Sequence, residues 1–223
     1  MLKEISIFNN KNQKLAGVLH KNKSKELIIL CHGYKSSKDF PAIKNIASRL
    51  FEKGYTVYRF DFTGHGESEG FAHIDLIQQV QDIGEVIKYF QDEYNKIILI
   101  GGSFAGFVTA IAAIKYPKIQ RLVTINGVFD LSKFGIKSFL LKIFQRKELI
   151  FFRKNFVPED IRIPTLVIYA RHDLIVNPSQ SKEFYEKLKT KKKFEVLEES
   201  DHGLSKKDYC NAAADKTIAG FSS

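Results

Sequence analysis

Short apolar runs rich in β-branched residues alternate with longer segments of helical hydrophobic period along most of this 223-residue chain. Runs of this kind are typical of the central strands of a parallel sheet, because helices cover both faces of such a sheet. The alternation therefore predicts βαβ crossovers and a doubly wound sheet. The runs are Leu27–Cys31, Thr56–Phe60, Lys96–Ile100, Leu122–Ile125 and Thr165–Tyr169.

The segments between these runs carry the helix signals. From Asp75 to residue 90 the apolar positions repeat at helical spacing, and residues 39–53, 103–116 and 178–189 are also predicted helices. At the start of the chain, Lys3–Phe8 and Lys14–His20 are two predicted strands with no helix between them. The sequence therefore predicts an α/β fold whose mostly parallel sheet has an antiparallel N-terminal edge.

Length and composition predict a single domain over residues 1–223. The chain has no repeat and no linker, and 44% hydrophobic residues are enough for a large core. No apolar run is long enough to span a bilayer, and residues 1–5 do not resemble a secretory leader, so a cytoplasmic location is expected. Free thiols are expected at Cys31 and Cys210.

The net charge of +10 raises affinity for polyanions in general. Most of this charge comes from scattered lysines, and no nucleic-acid-binding motif accompanies it, so no nucleic-acid partner is expected. Weak contact with an anionic membrane surface is one expectation. Monomer and homodimer both remain open.

Parallel sheets bind ligands at the carboxyl ends of their strands, and the chemistry-bearing residues lie there. Ser103 follows the strand that starts at Lys96 and precedes a predicted helix, as the nucleophile does in a strand–turn–helix elbow. So sharp a turn requires small residues two positions on either side, and Gly101 and Ala105 meet this requirement. Ser103 is therefore the predicted nucleophile.

An acyl-transfer site also needs preorganised N–H donors for the oxyanion. One is the backbone N–H of Phe104, directly after the serine. The other is expected from the loop that closes the strand at Cys31, at the backbone N–H of Tyr34, with Gly33 allowing the turn.

A serine hydroxyl needs a base, and His202 follows the last predicted strand, on the same edge of the sheet. Asp173, after the strand ending at Tyr169, is the predicted carboxylate that orients the histidine, and Asp130 is the rival for this role. Ser103, Asp173 and His202 occur in the chain order of this fold type.

Together these motifs resemble the α/β-hydrolase superfamily over nearly the whole chain. The stretch 60–68 looks like its D-x-x-G-H-G-x-S loop, in which Asp61 and His65 are expected to be structural. The sequence is most similar to small bacterial acyl esterases, including cinnamoyl/feruloyl esterases and the monoacylglycerol lipase and serine aminopeptidase relatives. The resemblance implies hydrolysis of a small-molecule acyl ester through an acyl-enzyme, without metal or cofactor.

An insert at about 127–163 interrupts the alternation and is expected to form a small cap. Its apolar, aromatic and basic core predicts a substrate pocket formed by Phe139, Leu140, Ile143 and Phe144. A small serine peptidase, a thioesterase and a non-catalytic binding module remain as alternative functions. A serine at position 103, where dehalogenases and epoxide hydrolases use aspartate, argues against those two classes.

Overall fold

The computed structural model describes residues 1–71, 75–130 and 146–221, and eight strands within these ranges form one sheet. The spatial order is β1-β2-β4-β3-β5-β6-β7-β8, with β1 and β2 antiparallel to their neighbours and all other pairs parallel. The strands are β1 (Leu2–Phe8), β2 (Lys14–His20), β3 (Glu26–Cys31), β4 (Thr56–Phe60), β5 (Lys96–Gly102), β6 (Ile119–Ile125), β7 (Thr165–His172) and β8 (Lys192–Asp201).

Six helices are described, together with a short 3₁₀ turn at Pro158–Asp160. They confirm the predicted α/β fold and its antiparallel edge. The helix expected from residue 103 begins only at residue 105, because Ser103 itself has a positive φ. The helices are α1 (Pro41–Glu52), α2 (Leu76–Phe90), α3 (Ala105–Lys115), α4 (Arg146–Asn155), α5 (Ser179–Lys187) and α6 (Lys207–Phe221).

The central strands of the sheet are buried on both faces, as their continuous apolar runs predict. Leu27 and Ile29 of β3 pack with α2 and α3, whereas Ile28 and Leu30 pack with α1 and α6. All four are at most 1% exposed. Alternate side chains of one strand therefore enter two separate core layers, one on each face of the sheet. Because β3 to β8 are parallel, their carboxyl ends lie at the same edge of the sheet.

The insert between β6 and β7 is described only in part. Phe152 of α4 packs edge-to-face on Phe107 of α3, with ring centroids 5.0 Å apart, and stacks on Phe156. This end of the insert is thus anchored to the α2/α3 face of the sheet. Among the described residues no helix is long and apolar enough to cross a membrane.

The loops after β3 and β4 are joined by an ionic cluster around a buried lysine and a buried aspartate. Lys38 is 4% exposed at its side chain, and its Nζ lies 2.7 Å from Glu67 and 3.3 Å from the fully buried Asp61. Asp61 also accepts a hydrogen bond from the Glu67 N–H. These contacts are those of a structural residue, which agrees with the role expected for Asp61.

A second buried polar contact lies on β2. His20 is 5% exposed, and its Nε2 accepts a hydrogen bond of 3.1 Å from Arg59 Nε. Burial, followed by the positive charge of Arg59, lowers the pKa of His20 from about 6.5 to about 4. Protonation of His20 is therefore unfavourable in the folded protein.

We expect this histidine to make stability depend on pH. Between about pH 6.5 and pH 4 the unfolded chain binds a proton at residue 20 that the folded chain does not, so the free energy of unfolding falls as pH drops. The limiting slope is about 1.4 kcal/mol per pH unit for each such histidine. Urea denaturation at pH 7 and pH 5 should show a smaller loss for His20→Gln than for the unsubstituted protein.

The matched control is His172→Gln, at an exposed histidine at the end of β7. Its loss of stability between the two pH values should equal that of the unsubstituted protein. Identical losses for both variants would contradict the assignment of this pH dependence to His20.

Candidate active site

Ser103 occupies a sharp turn between β5 and α3, with φ of +50°. Its N–H donates to Ile125 O over 2.9 Å, and its carbonyl oxygen accepts from the N–H groups of Val128 and Gly106. A Cβ at Gly101 would lie 2.5 Å from Ala105 O, so a side chain there would collide with the turn. The steric reason given for the small residue before the serine therefore applies in the folded chain.

The structure brings the three predicted polar side chains together. Ser103 Oγ lies 2.8 Å from His202 Nε2, and His202 Nδ1 lies 2.7 Å from Asp173 Oδ2. A carboxylate can only accept, so Nδ1 carries the proton and Nε2 is free to take one from the Ser103 hydroxyl. The arrangement can therefore transfer a proton between Ser103 and His202.

Asp173 is itself fixed by the loop after β7. Its Oδ1 accepts hydrogen bonds from the N–H groups of Ile175 and Val176, at 2.9 and 2.8 Å, which leaves Oδ2 directed at His202. Asp130, the rival carboxylate, donates through its backbone N–H to Gln180 Oε1. Asp173 is the carboxylate within hydrogen-bond distance of His202 Nδ1, so the geometry favours Asp173 over Asp130 as the residue that orients the histidine.

The predicted oxyanion loop lies directly against the serine. A Cβ at Gly33 would be 3.1 Å from Ser103 Cβ, so glycine permits this close approach. The Tyr34 ring packs on Phe104 at a centroid distance of 6.1 Å, and within the described residues the Tyr34 N–H donates no hydrogen bond. Phe104 precedes the first residue of α3, so its N–H lies at the positive end of that helix.

His32 controls the orientation of this loop, a role that the sequence analysis missed. Its Nδ1 donates to Gly33 O over 2.9 Å, and its Nε2 accepts from Phe62 N–H over 3.2 Å. Burial lowers the pKa of His32 to about 4, so it stays neutral in this one tautomer. Gly33 O and Tyr34 N–H belong to one trans peptide and point in opposite directions, so His32 also fixes the direction of the Tyr34 N–H.

Asn126 is a second residue that sequence reasoning missed. It is 2% exposed, with φ of +52°, directly after β6. Its Oδ1 accepts from Ala170 N–H over 2.7 Å, and its Nδ2 donates to His202 O over 2.9 Å. Asn126 thus connects three strand ends. The Asn126-Gly127 pair after a strand is a turn signal that could have marked this position.

A cavity of about 190 Å³ opens beside Ser103, on the α1 side of the sheet. Its walls come from α1, from the ends of β3, β5 and β6, and from the loop that carries His202. The predicted pocket residues Phe139, Leu140, Ile143 and Phe144 lie outside the described residues. Among the residues described, no cluster of three histidine, cysteine or acidic side chains is arranged to hold a metal ion.

A family model described as serine aminopeptidase, S33, matches residues 22–156 and 155–207, which is more than half of the chain. The chain belongs to this family. Membership in S33 makes the protein a relative of serine hydrolases, in agreement with the elbow and the polar residues at the strand ends.

Solved structures similar to this S33 protein include esterases. The Pyrococcus furiosus esterase Pf2001 has a TM-score of 0.83 and 22% identity, covering 100% of this chain and 92% of that one. Est1E from Butyrivibrio proteoclasticus, solved with ferulic acid bound, has a TM-score of 0.81 and 20% identity, covering 98% and 100%. At these identities the likeness establishes the α/β-hydrolase fold.

Curated relatives are more varied in activity. Proline iminopeptidase PfmaB of Pestalotiopsis fici is 32% identical over 105 residues, which is 45% of this chain and 36% of the relative. Epoxide hydrolase 4 of Mus musculus is 31% identical over 111 residues, 47% and 29% of the two chains. The S33 protein spans about a third of the length of these relatives.

We expect Asn126→Ala to destabilise the protein by about 2 kcal/mol. It would remove the hydrogen bonds that Asn126 makes to the buried Ala170 N–H and the partly buried His202 O, and alanine is disfavoured at positive φ. Urea denaturation measures the loss. The control is Asn22→Ala, at a half-buried asparagine that donates to Phe51 O over 3.2 Å.

Asn22→Ala should cost about 1 kcal/mol or less, because the two hydrogen bonds of its side chain, to Phe51 O and from Lys23 N–H, are partly or fully exposed to water. Equal destabilisation by the two substitutions would contradict the connecting role assigned to Asn126.

Proposed function

We propose that this protein hydrolyses carboxylic esters of small molecules through an acyl-enzyme on Ser103. The observation that carries the proposal is the unbroken hydrogen-bond chain from Ser103 Oγ through His202 to Asp173, at 2.8 and 2.7 Å. These are the contacts by which a base activates a serine and a carboxylate orients the base.

In the first half of the reaction Ser103 Oγ attacks the acyl carbon while His202 Nε2 takes its proton. The carbonyl π electrons move to oxygen, and the resulting oxyanion accepts hydrogen bonds from the N–H groups of Tyr34 and Phe104. His202 then gives the proton to the leaving alcohol as its C–O bond breaks. Asp173 stabilises the imidazolium formed in between.

In the second half a water molecule attacks the acyl-enzyme. His202 takes a proton from the water and returns it to Ser103 Oγ, which releases the carboxylic acid. All proton transfers pass through one histidine nitrogen. This route requires no metal and no cofactor.

The charge around the site supports an ester over a substrate with a free amine. Among the described residues no aspartate or glutamate lines the cavity beside Ser103, and residues 131–145 contain neither residue type in their sequence. An aminopeptidase substrate would place its ammonium group near the scissile bond, and an unpaired buried charge is costly. The iminopeptidase relative and the family description keep peptide cleavage as the competing hypothesis.

Substitutions of the polar residues test the mechanism. We expect Ser103→Ala to abolish hydrolysis of p-nitrophenyl acetate, and Asp173→Asn to lower kcat about 10³- to 10⁴-fold, because the amide no longer holds the required tautomer. Asp130→Asn is the matched control and should retain the unsubstituted rate. Full activity of Ser103→Ala, or a larger loss at Asp130 than at Asp173, would refute the assignment.

A substrate comparison tests the bond type. The kcat/KM for p-nitrophenyl acetate should exceed that for prolyl and alanyl p-nitroanilides by roughly 100-fold or more, since the latter carry an ammonium group with no carboxylate to meet it. Faster cleavage of the aminoacyl anilides would favour the peptidase hypothesis. N-acetylated alanyl p-nitroanilide separates the effect of the amine from that of the amide bond.

A further inference from the structure

The cavity beside Ser103 has an apolar floor between two rigid elements. Each floor side chain is at most 8% exposed, and each is aliphatic. A polar group carried into this floor would therefore lose its hydrogen bonds to water without replacement. The floor side chains are Leu30, Ile100 and Ile125 from the ends of β3, β5 and β6, and Ala42, Ile43 and Ile46 from α1.

The proposed reacting groups line the same cavity. Ser103 and His202 are followed on the histidine side by Gly203 and Leu204, and the loop after β3 contributes residues 33–36 on the other side. In ester cleavage the leaving oxygen receives its proton from His202 Nε2, which is 2.8 Å from Ser103 Oγ. That oxygen therefore lies between two residues that both line the cavity, so the group attached to it can enter the cavity.

We propose that this cavity is the alcohol site of the enzyme and that it selects esters of short, apolar alcohols. The inference rests on the proposed esterase function and assigns the substituent on the leaving side. The acyl group then lies toward the open side of the crevice, outside the α1 cavity.

The size of the cavity sets the length of the alcohol. Its volume of about 190 Å³ has room for roughly six non-hydrogen atoms, taking the ~30 Å³ of a liquid water molecule as the unit. This is smaller than the roughly 300 Å³ at which sites for drug-sized ligands begin. Propyl and butyl groups fit, an octyl chain exceeds this size, and a hydroxyl-rich alcohol such as glycerol is excluded by the apolar floor rather than by its size.

The first experiment measures kcat/KM for two ester series. In the acetate series, from methyl through butyl to octyl acetate, every substrate forms the same acetyl-enzyme, so differences report the alcohol. In the ethyl ester series, from acetate to octanoate, differences report the acyl group. We expect a rise of about fourfold per methylene up to butyl acetate, followed by a fall at octyl acetate.

Two substitutions on α1 locate this selectivity. Ala42→Leu fills the cavity and should lower the butyl-to-methyl ratio of the acetate series by roughly tenfold, the effect of losing about two methylenes of burial. Ile43→Ala enlarges it and should move the optimum to longer alcohols. The controls are Ala113→Leu and Ile87→Ala, buried on α3 and α2 away from the cavity, which should leave the ratio unchanged.

If the α1 substitutions changed the chain-length dependence of kcat/KM in the ethyl ester series and not in the acetate series, the proposal would be overturned, because the cavity would then hold the acyl group. An unchanged ratio in both α1 variants would overturn it as well. If no ester were hydrolysed, the proposed function would fail, and the site itself is then tested by binding.

The binding test uses Ser103→Ala protein, which cannot form an acyl-enzyme. Titration with butan-1-ol should shift the methyl NMR signals of Ile43 and Leu204, and the further change Ala42→Leu should remove the shift. Sodium butanoate at the same concentration should leave these signals unmoved. Absence of any shift with butan-1-ol would overturn the assignment of the cavity as an alcohol site.

Discussion

The backbone of Ser103 is held in a left-handed conformation from both sides, and the arrangement of the site depends on this constraint. Its N–H is bound by Ile125 O at the end of β6, and its carbonyl by the N–H of Val128 just beyond. A non-glycine residue at positive φ is strained and persists only where surrounding contacts outweigh the strain. Here the contacts come from the neighbouring strand, so the position of the hydroxyl follows from the sheet.

The same edge of the sheet organises the groups around the serine. β7 carries Asp173 just past its end, β8 carries His202, and Asn126 connects both to β6 through its side chain. In the loop after β3, the hydrogen bond from His32 to Gly33 O fixes the orientation of the Gly33–Tyr34 peptide. The Lys38–Asp61 ion pair connects this loop to the loop after β4. Each group of the proposed mechanism is thus positioned by polar contacts with neighbouring strands and loops, as preorganised catalysis requires.

The helices decide what can reach the serine. α1 and the ends of β3, β5 and β6 border a largely aliphatic cavity next to Ser103, and no carboxylate among the described residues lines it. Charge and shape therefore both favour the proposed substrate, a neutral ester with a compact apolar leaving group, over a substrate with an amino-terminal ammonium group.

The sequence by itself determined the strands, their parallel arrangement and the positions of Ser103, Asp173 and His202, because each depends on a local pattern: an apolar run followed by a polar residue or small turn. The function of Asn126, the tautomer of His32 and the α1 cavity were decided only by the tertiary structure. Asn126 contacts a residue 76 positions away, and His32 one 30 positions away. Such contacts arise when crossovers bring distant strand ends together, so they cannot be predicted from the local hydrophobic pattern of the sequence.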